Sequence, residues 1–222
     1  MSDDARAHIL ARIRLATGDR APADDTPRPP LPAPAVTPGD PGLLAERIAD
    51  YAATVTRVDD PAAIPDVIAA ILHRHHATRI AIPHDLDPAL RPPGVELVAD
   101  DPPLDHDAIA GADGVLTACA LAIARTGTIV LDHTTGQGRR ALTLVPDRHV
   151  CVVRADQVVP DVPDAFALLD PRRPLTWISG PSATSDIELD RVEGVHGPRE
   201  LHVIVVDAAS PGDDAGAHPL TT

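Results

Sequence analysis

"PLTWISGPSATSDIELDRVEGVHGPRELHVIVVD", residues 174–207, holds two apolar runs, 175–178 and 201–206, separated by a long polar connection. The second run, LHVIVV, is almost continuously apolar rather than alternating. A strand that reads this way is covered on both faces, as in a parallel sheet packed between layers. Working outward, similar short runs recur as TVTRV (54–58), RIAIP (79–83), VELVA (95–99), GVLTA (114–118), TIVLD (128–132) and HVCVV (149–153).

Helical patterns fall between several of these runs. Leu44, Ile48, Tyr51 and Ala52 have helical spacing. Asp60 and Pro61 mark a helix start, with Ile64, Val67, Ile68, Ile71 and Leu72 on its buried side. Short helices are expected around Asp107, between GVLTA and TIVLD, and from Asp164 to Leu169. Strands alternating with helices predict an α/β chain, a three-layer arrangement with helices on both faces of a sheet.

The core is expected near 43–208. Before it, residues 1–16 read as an amphipathic helix with Ile9, Leu10 and Ile13 in a stripe. Residues 17–42 form a linker in which eight prolines between Pro22 and Pro41 forbid a helix or a central strand. Residues 209–222 lack any periodicity and are expected to be disordered.

Charge and composition exclude several classes of function. The 222 residues carry 19 basic and 33 acidic side chains, a net charge of −14. That opposes nucleic-acid or anionic-membrane binding, which rests on cationic patches. Every basic residue is Arg, so neither a Schiff-base lysine nor a P-loop lysine is available. Anion recognition must use Arg, backbone N–H groups or hydroxyls. Cys119 and Cys151 cannot supply four thiolates for an iron–sulfur cluster, and they read as reduced, buried thiols. The N-terminus has no apolar signal region, so a cytoplasmic protein is expected.

Ligands of open α/β sheets bind beyond the carboxyl ends of strands. Three stretches there carry candidate chemistry. Thr126, Gly127 and Thr128 offer hydroxyls beside a bare backbone turn. Gly136, Gln137, Gly138 and Arg139, followed by Arg140, resemble an anion cradle at a helix start. In the opening stretch, Ser185 and Glu188 match a helix capping box. Capping does not account for Ser182, Asp186, His196 and Arg199, and that surplus points to a functional loop. A Ser-His-Asp triad has the residue types but no G-x-S-x-G elbow. A divalent ion on His133, His149 and His196 with Asp186 or Glu188 is a further option, as is one on His73 and His76.

GVLTACALAIARTGTIVLD, GQGRRALTLVPDRHVCVVRADQVV and the stretch 175–206 closely resemble the LUD domain of the lactate-utilisation protein C (LutC-type) family. The S-G-P-S-x-T-x-D-I-E and G-V-H-G-P motifs carry most of that resemblance. It implies a sheet like that of the sugar-phosphate isomerase and CoA-transferase superfamily (NagB/RpiA/CoA transferase-like). It also implies a part in oxidising L-lactate to pyruvate beside iron–sulfur partner proteins that hold the clusters, with none in this chain. Its motif positions include Ser179, Gly180, Ser182, Thr184 and Arg199 as well as the two earlier stretches. Members often carry an acid before T-G-T, whereas this chain has Arg125.

The resulting expectation is a pocket for a small carboxylate or phosphate. It is closed by 179–199 and walled by 126–128 and 133–140, with Arg139 and Arg199 binding charge. His196 is the candidate acid or base, oriented by Asp186 or Glu188. The alternatives are a stand-alone enzyme on a sugar-phosphate or CoA-type substrate, and a regulatory module that senses an organic acid.

Overall fold

The computed structural model describes residues 3–17, 38–184, 192–193 and 197–207. Helix α1 (Asp3–Thr17) belongs to a separate unit, Met1–Pro32. Its Ile9, Leu10, Ile13 and Leu15 are exposed. The proline-rich stretch 18–37 and the tail 208–222 lie outside the described residues.

Helix α2 (Pro41–Asp50) begins two residues earlier than the sequence pattern suggests, because the Asp40 carboxylate accepts from Gly42 N at 2.7 Å and Pro41 stands at the first helical position. Strand β1 (Thr54–Val58) follows. Asp60 caps not a full helix but a 3₁₀ turn, Pro61–Ala63, which runs into α3 (Ile64–Arg74). That helix buries Ile64, Ile68, Ile71 and Leu72. Each such side chain contributes about 1.5–3 kcal/mol when removed from water.

β1 is one edge of a six-stranded parallel sheet. The others are β2 (Arg79–Ile82), β3 (Glu96–Ala99), β4 (Gly114–Thr117), β7 (Arg148–Arg154) and β12 (Glu200–Val206), in the order β1-β12-β7-β4-β2-β3. One face packs against α3 through Ile80, Ile82, Leu116, Val150, Val152, Ile204 and Val206. The short helix α4 (His106–Ala110) covers Ala81 and Val115 on the other face.

The rest of that second face meets α2 and a second sheet. This four-stranded sheet contains β5 (Leu121–Ile123), β6 (Thr128–Leu131), β8 (Val158–Val159) and β9 (Thr176–Ile178), in the order β8-β5-β6-β9. Its inner residues Ala122, Ala124, Ile129 and Leu131 meet Cys151, Val153, Val203 and Val205 of the central sheet. Its outer face is covered by α5 (Val162–Leu168) through Ala165. The chain is thus α/β, with a mostly parallel sheet flanked by helices and part of one flank supplied by a second sheet.

Two expectations change here. The segment between GVLTA and TIVLD is a strand, β5, rather than a short helix. Ala122 is fully buried between Ile129 and Val158, its ladder partners, and an alanine-rich strand lets two sheets approach closely. The segment after Arg139 is a single 3₁₀ turn, Arg140–Thr143, and not the start of an α-helix. A short antiparallel pair, β10 (Ala183–Thr184) with β11 (Val192–Glu193), lies within the polar connection.

Candidate functional site

A cavity of about 250 Å³ opens where the two sheets diverge. Its floor is His149 and Leu201, at the amino ends of β7 and β12. Arg140, Thr143 and Leu144 form one wall; Thr176, Trp177 and Ile178 of β9 form a second. Ser179, Gly180, Pro181 and Ser182 lead away from β9 and meet Gly197 and Pro198 at the rim. Ser182 N donates to Pro198 O at 2.8 Å and ties the two ends of the polar connection together.

The cavity shares with the expected pocket its rim from 179–182 and 197–198 and the wall residue Arg140, but not residues 126–128. The cavity lies at the carboxyl end of a strand, but the strand is β9 of the second sheet. That end sits over the amino ends of β7 and β12 of the central sheet.

Polar groups in the cavity are cross-braced. Arg140 Nη1 donates to Thr176 Oγ1 at 2.7 Å. Thr176 Oγ1 lies 3.1 Å from His133 Nε2, and His133 Nδ1 lies 2.8 Å from Gly138 O. A carbonyl only accepts, so His133 carries its proton on Nδ1 and its Nε2 accepts from Thr176. No carboxylate of a described residue pairs with Arg140. His149, 1% exposed, is fixed by Thr117, whose Oγ1 lies 2.8 Å from His149 Nε2.

Thr126, Gly127 and Thr128 do not line the cavity but support it. Thr126 Oγ1 and Thr128 Oγ1 are 2.8 Å apart, and Thr128 Oγ1 is 2.9 Å from Ser179 Oγ. Gly127 has φ +62°, and a Cβ there would lie 2.6 Å from the Arg47 carbonyl carbon. Its smallness is required by the approach of α2. Gly180 has φ +84°, with Tyr51 O at 2.6 Å from such a Cβ.

The 133–140 loop holds itself together. Gln137, 2% exposed, donates to Asp132 Oδ1 at 2.8 Å and to Thr134 Oγ1 at 2.7 Å, and its Oε1 accepts from Asp132 N at 2.8 Å. Burial pushes the Asp132 carboxyl up, but the bonds from Thr134 and Gln137, with Arg173 nearby, outweigh it and hold the group below its ordinary value. Gly136 N donates to Asp85 Oδ1 at 3.1 Å and Gln137 N to Thr134 O at 3.1 Å. Two of the backbone donors expected to cradle an anion, those of Gly136 and Gln137, are therefore engaged within the protein.

The two arginines selected from the sequence face elsewhere. Arg139 binds the nearly buried Asp100, Nε to Oδ2 at 2.8 Å, and also donates to Leu104 O. Arg199 pairs with Asp147 in a charged cleft beside His75, Asp113, Arg148 and Glu200. Arg125, in place of the family's acid, forms an exposed pair with Asp161, the cap of α5. Asp186, Glu188 and His196 lie outside the described residues, as does the side chain of Thr184. Ser179, Gly180 and Ser182 do line the cavity.

Sequence reasoning placed Arg140 in a wall of the pocket but chose Arg139 to bind charge, and it missed Thr176. The run Arg139-Arg140 marked the place but not the choice, because the tight turn sends consecutive side chains to different sides. Among the described residues, no group of three or more His, Cys, Asp or Glu side chains is placed to hold a metal ion. No helix there is long and apolar enough to cross a membrane.

Comparisons with known proteins bear on this arrangement. Residues 43–206 match the family model of the LUD domain. Lactate utilization protein C of Deinococcus radiodurans is 46% identical over 207 residues, covering 91% of this chain and 96% of that protein. The protein of the same name from Geobacillus kaustophilus is 28% identical over 174 residues, covering 74% of this chain and 68% of its own. The crystal structure of a DUF162 family protein from Deinococcus radiodurans superposes with a TM-score of 0.63 at 44% identity, covering 75% of this chain and 95% of that one.

Proposed function

Since the chain belongs to the LUD domain family, we propose that it is a lactate-utilisation protein: a subunit or accessory protein of an iron–sulfur system that oxidises L-lactate to pyruvate. Its relatives carry lactate utilisation in their names. In this reading the cavity binds the carboxylate of lactate or pyruvate. Arg140 carries the reading, as a guanidinium lining the cavity beside the Thr176 and Ser179 hydroxyls and paired with no described carboxylate. A carboxylate would take charge-assisted bonds from it, which are the stronger kind. His196 directly precedes the rim residue Gly197 and is the acid–base candidate, with Asp186 or Glu188 to orient it.

Oxidising lactate removes two electrons, and an acceptor must receive them. Two cysteines cannot hold a cluster, so the acceptor belongs to a partner. The chain would hold and orient the acid while an iron–sulfur protein takes the electrons.

The test has two arms. Calorimetry measures L-lactate, pyruvate and inorganic phosphate binding to the full chain and to Arg140→Ala. Losing one charge-assisted pair worth roughly 1.5–3 kcal/mol weakens carboxylate binding about 10- to 100-fold. Native pull-down, with iron analysis and lactate-dependent dye reduction, reads the partner. A chain that comes down alone and iron-free, or an Arg140→Ala variant that binds lactate as well as the parent, refutes the proposal.

A further inference from the structure

The interface between the two sheets is aliphatic except for one polar file. It runs from His149 through Thr117, Cys151 and Cys119 to Gln157. Cys151 is fully buried and Cys119 is 3% exposed. Thr117 and Cys151 are ladder partners on adjacent parallel strands, and Cys119 follows two residues beyond Thr117. Thr117 Oγ1 lies 3.8 Å from Cys151 Sγ, and Cys119 Sγ lies 3.6 Å from Gln157 Oε1. Both cysteines are reduced.

The pair is not sealed. Cys119 lines a second cavity, of about 440 Å³, at the carboxyl ends of β4 and β7, together with Asp132, Arg154 and Gln157. The two thiols also differ in character. The hydrogen bond from Cys119 lowers the Cys151 thiol below its ordinary value, helped by His149 and Thr117 against the effect of burial. The same bond, together with burial, raises Cys119. A thiol lowered by its neighbour, beside a second thiol that faces a cavity, is the arrangement of a peroxide-sensitive pair.

We propose that Cys119 and Cys151 are an oxidisable dithiol, closed to an intramolecular disulfide by a hydroperoxide entering the cavity at the carboxyl ends of β4 and β7. Cys119 passes its proton to the Cys151 sulfur and attacks the peroxide O–O bond as a thiolate, giving a sulfenic acid and hydroxide, which takes that proton as water and leaves Cys151 a thiolate. The Cys151 thiolate then attacks the Cys119 sulfur. The S–S bond forms, the S–O bond breaks, and hydroxide leaves to take up a proton as water. Two thiols and one hydrogen peroxide become one disulfide and two waters.

The test uses the reduced full-length chain treated with hydrogen peroxide and quenched. Intact mass and thiol titration after denaturation are read together. The expected result is joint loss of both thiols, a mass lower by two hydrogens, a monomer on a non-reducing gel, and full recovery with dithiothreitol. Cys151→Ser should instead leave Cys119 to gain oxygen. Cys119→Ser, without the cavity-facing thiol, should oxidise at least roughly tenfold more slowly. A wild-type chain that only gains oxygen, forms a linked dimer, or stays reduced until unfolded overturns the proposal, and that reading needs no variant to fold.

Discussion

Replacing Arg139 with alanine separates a structural role from a binding one. The guanidinium reaches both Asp100 oxygens, Nε at 2.8 Å and Nη2 at 3.1 Å. The Asp100 side chain is 7% exposed. Burial pushes that carboxyl up, but Arg139 and the Leu104 N–H together outweigh it and hold the group below its ordinary value. Removing Arg139 leaves a buried carboxylate with the Leu104 N–H as its donor and without its paired guanidinium. Breaking a buried pair costs about 3–5 kcal/mol. Arg139 is itself 42% exposed, so solvent screens part of the attraction, and the expected loss is about 2–3 kcal/mol. In a domain of this size that lowers Tm by roughly 4–12 °C. The pH dependence supplies a second check. Because the folded value of Asp100 is depressed, its stabilisation is present above the ordinary carboxylate range and is lost as pH falls through the folded value. The deficit of the variant is therefore full above the ordinary carboxylate range and shrinks below it, as pH falls through the depressed folded value of Asp100 in the parent. Urea melts at neutral and acid pH, beside lactate titrations, measure both. If Arg139→Ala melts like the parent but loses lactate affinity, Arg139 is a binding residue and the structural reasoning fails.

Gly127→Ala places a Cβ 2.6 Å from the Arg47 carbonyl carbon at a left-handed φ of +62°; it should cost roughly 1–3 kcal/mol in a urea melt, and an unchanged midpoint would mean that α2 can move away. His202 is buried against Thr56, and burial, with Arg74 and His75 nearby, lowers its pKa to about 4. Its folded value lies below the unfolded one, so stability is complete above about pH 6.5 and falls as pH drops toward 4, by at most about 3 kcal/mol; His202→Gln should flatten that slope, and an equally steep slope would assign it to other groups. Ser179→Ala removes a cavity hydroxyl and the partner of Thr128; lactate affinity should fall roughly 3- to 10-fold with little change in melting, as read by calorimetry.

The central sheet was legible because parallel strands buried on both faces are written as unbroken apolar runs. HVCVV and LHVIVV announce β7 and β12 in this way. What such runs do not carry is which strands share a sheet. TIVLD and LTWIS look like the others, yet β6 and β9 pair with each other and leave the central sheet. CALAIAR reads as helical because alanine favours helices, but tertiary packing overrides that weak preference. Arg139 and Arg140 are equivalent in sequence. Only the turn that begins between them turns one toward Asp100 and the other toward Thr176.

The polar surplus between 178 and 200 follows from this division into two sheets. After β9 the chain must leave the second sheet and re-enter the central one at β12. At that crossing neither of the two larger sheets continues, and among the described residues only the short β10–β11 pair supplies a ladder. Ser182 and Pro198 close part of the gap by a backbone hydrogen bond. The remainder is bounded by His149 below and Arg140 at the side. In a chain of net charge −14, most arginines have carboxylates to pair with, as Arg139 and Arg199 do. A guanidinium that instead reaches a threonine hydroxyl, at the wall of a cavity, retains most of its five donors for an incoming group. On the proposed reading, it is the position of Arg140, more than the GxG loop beside it, that suits this seam to a carboxylate.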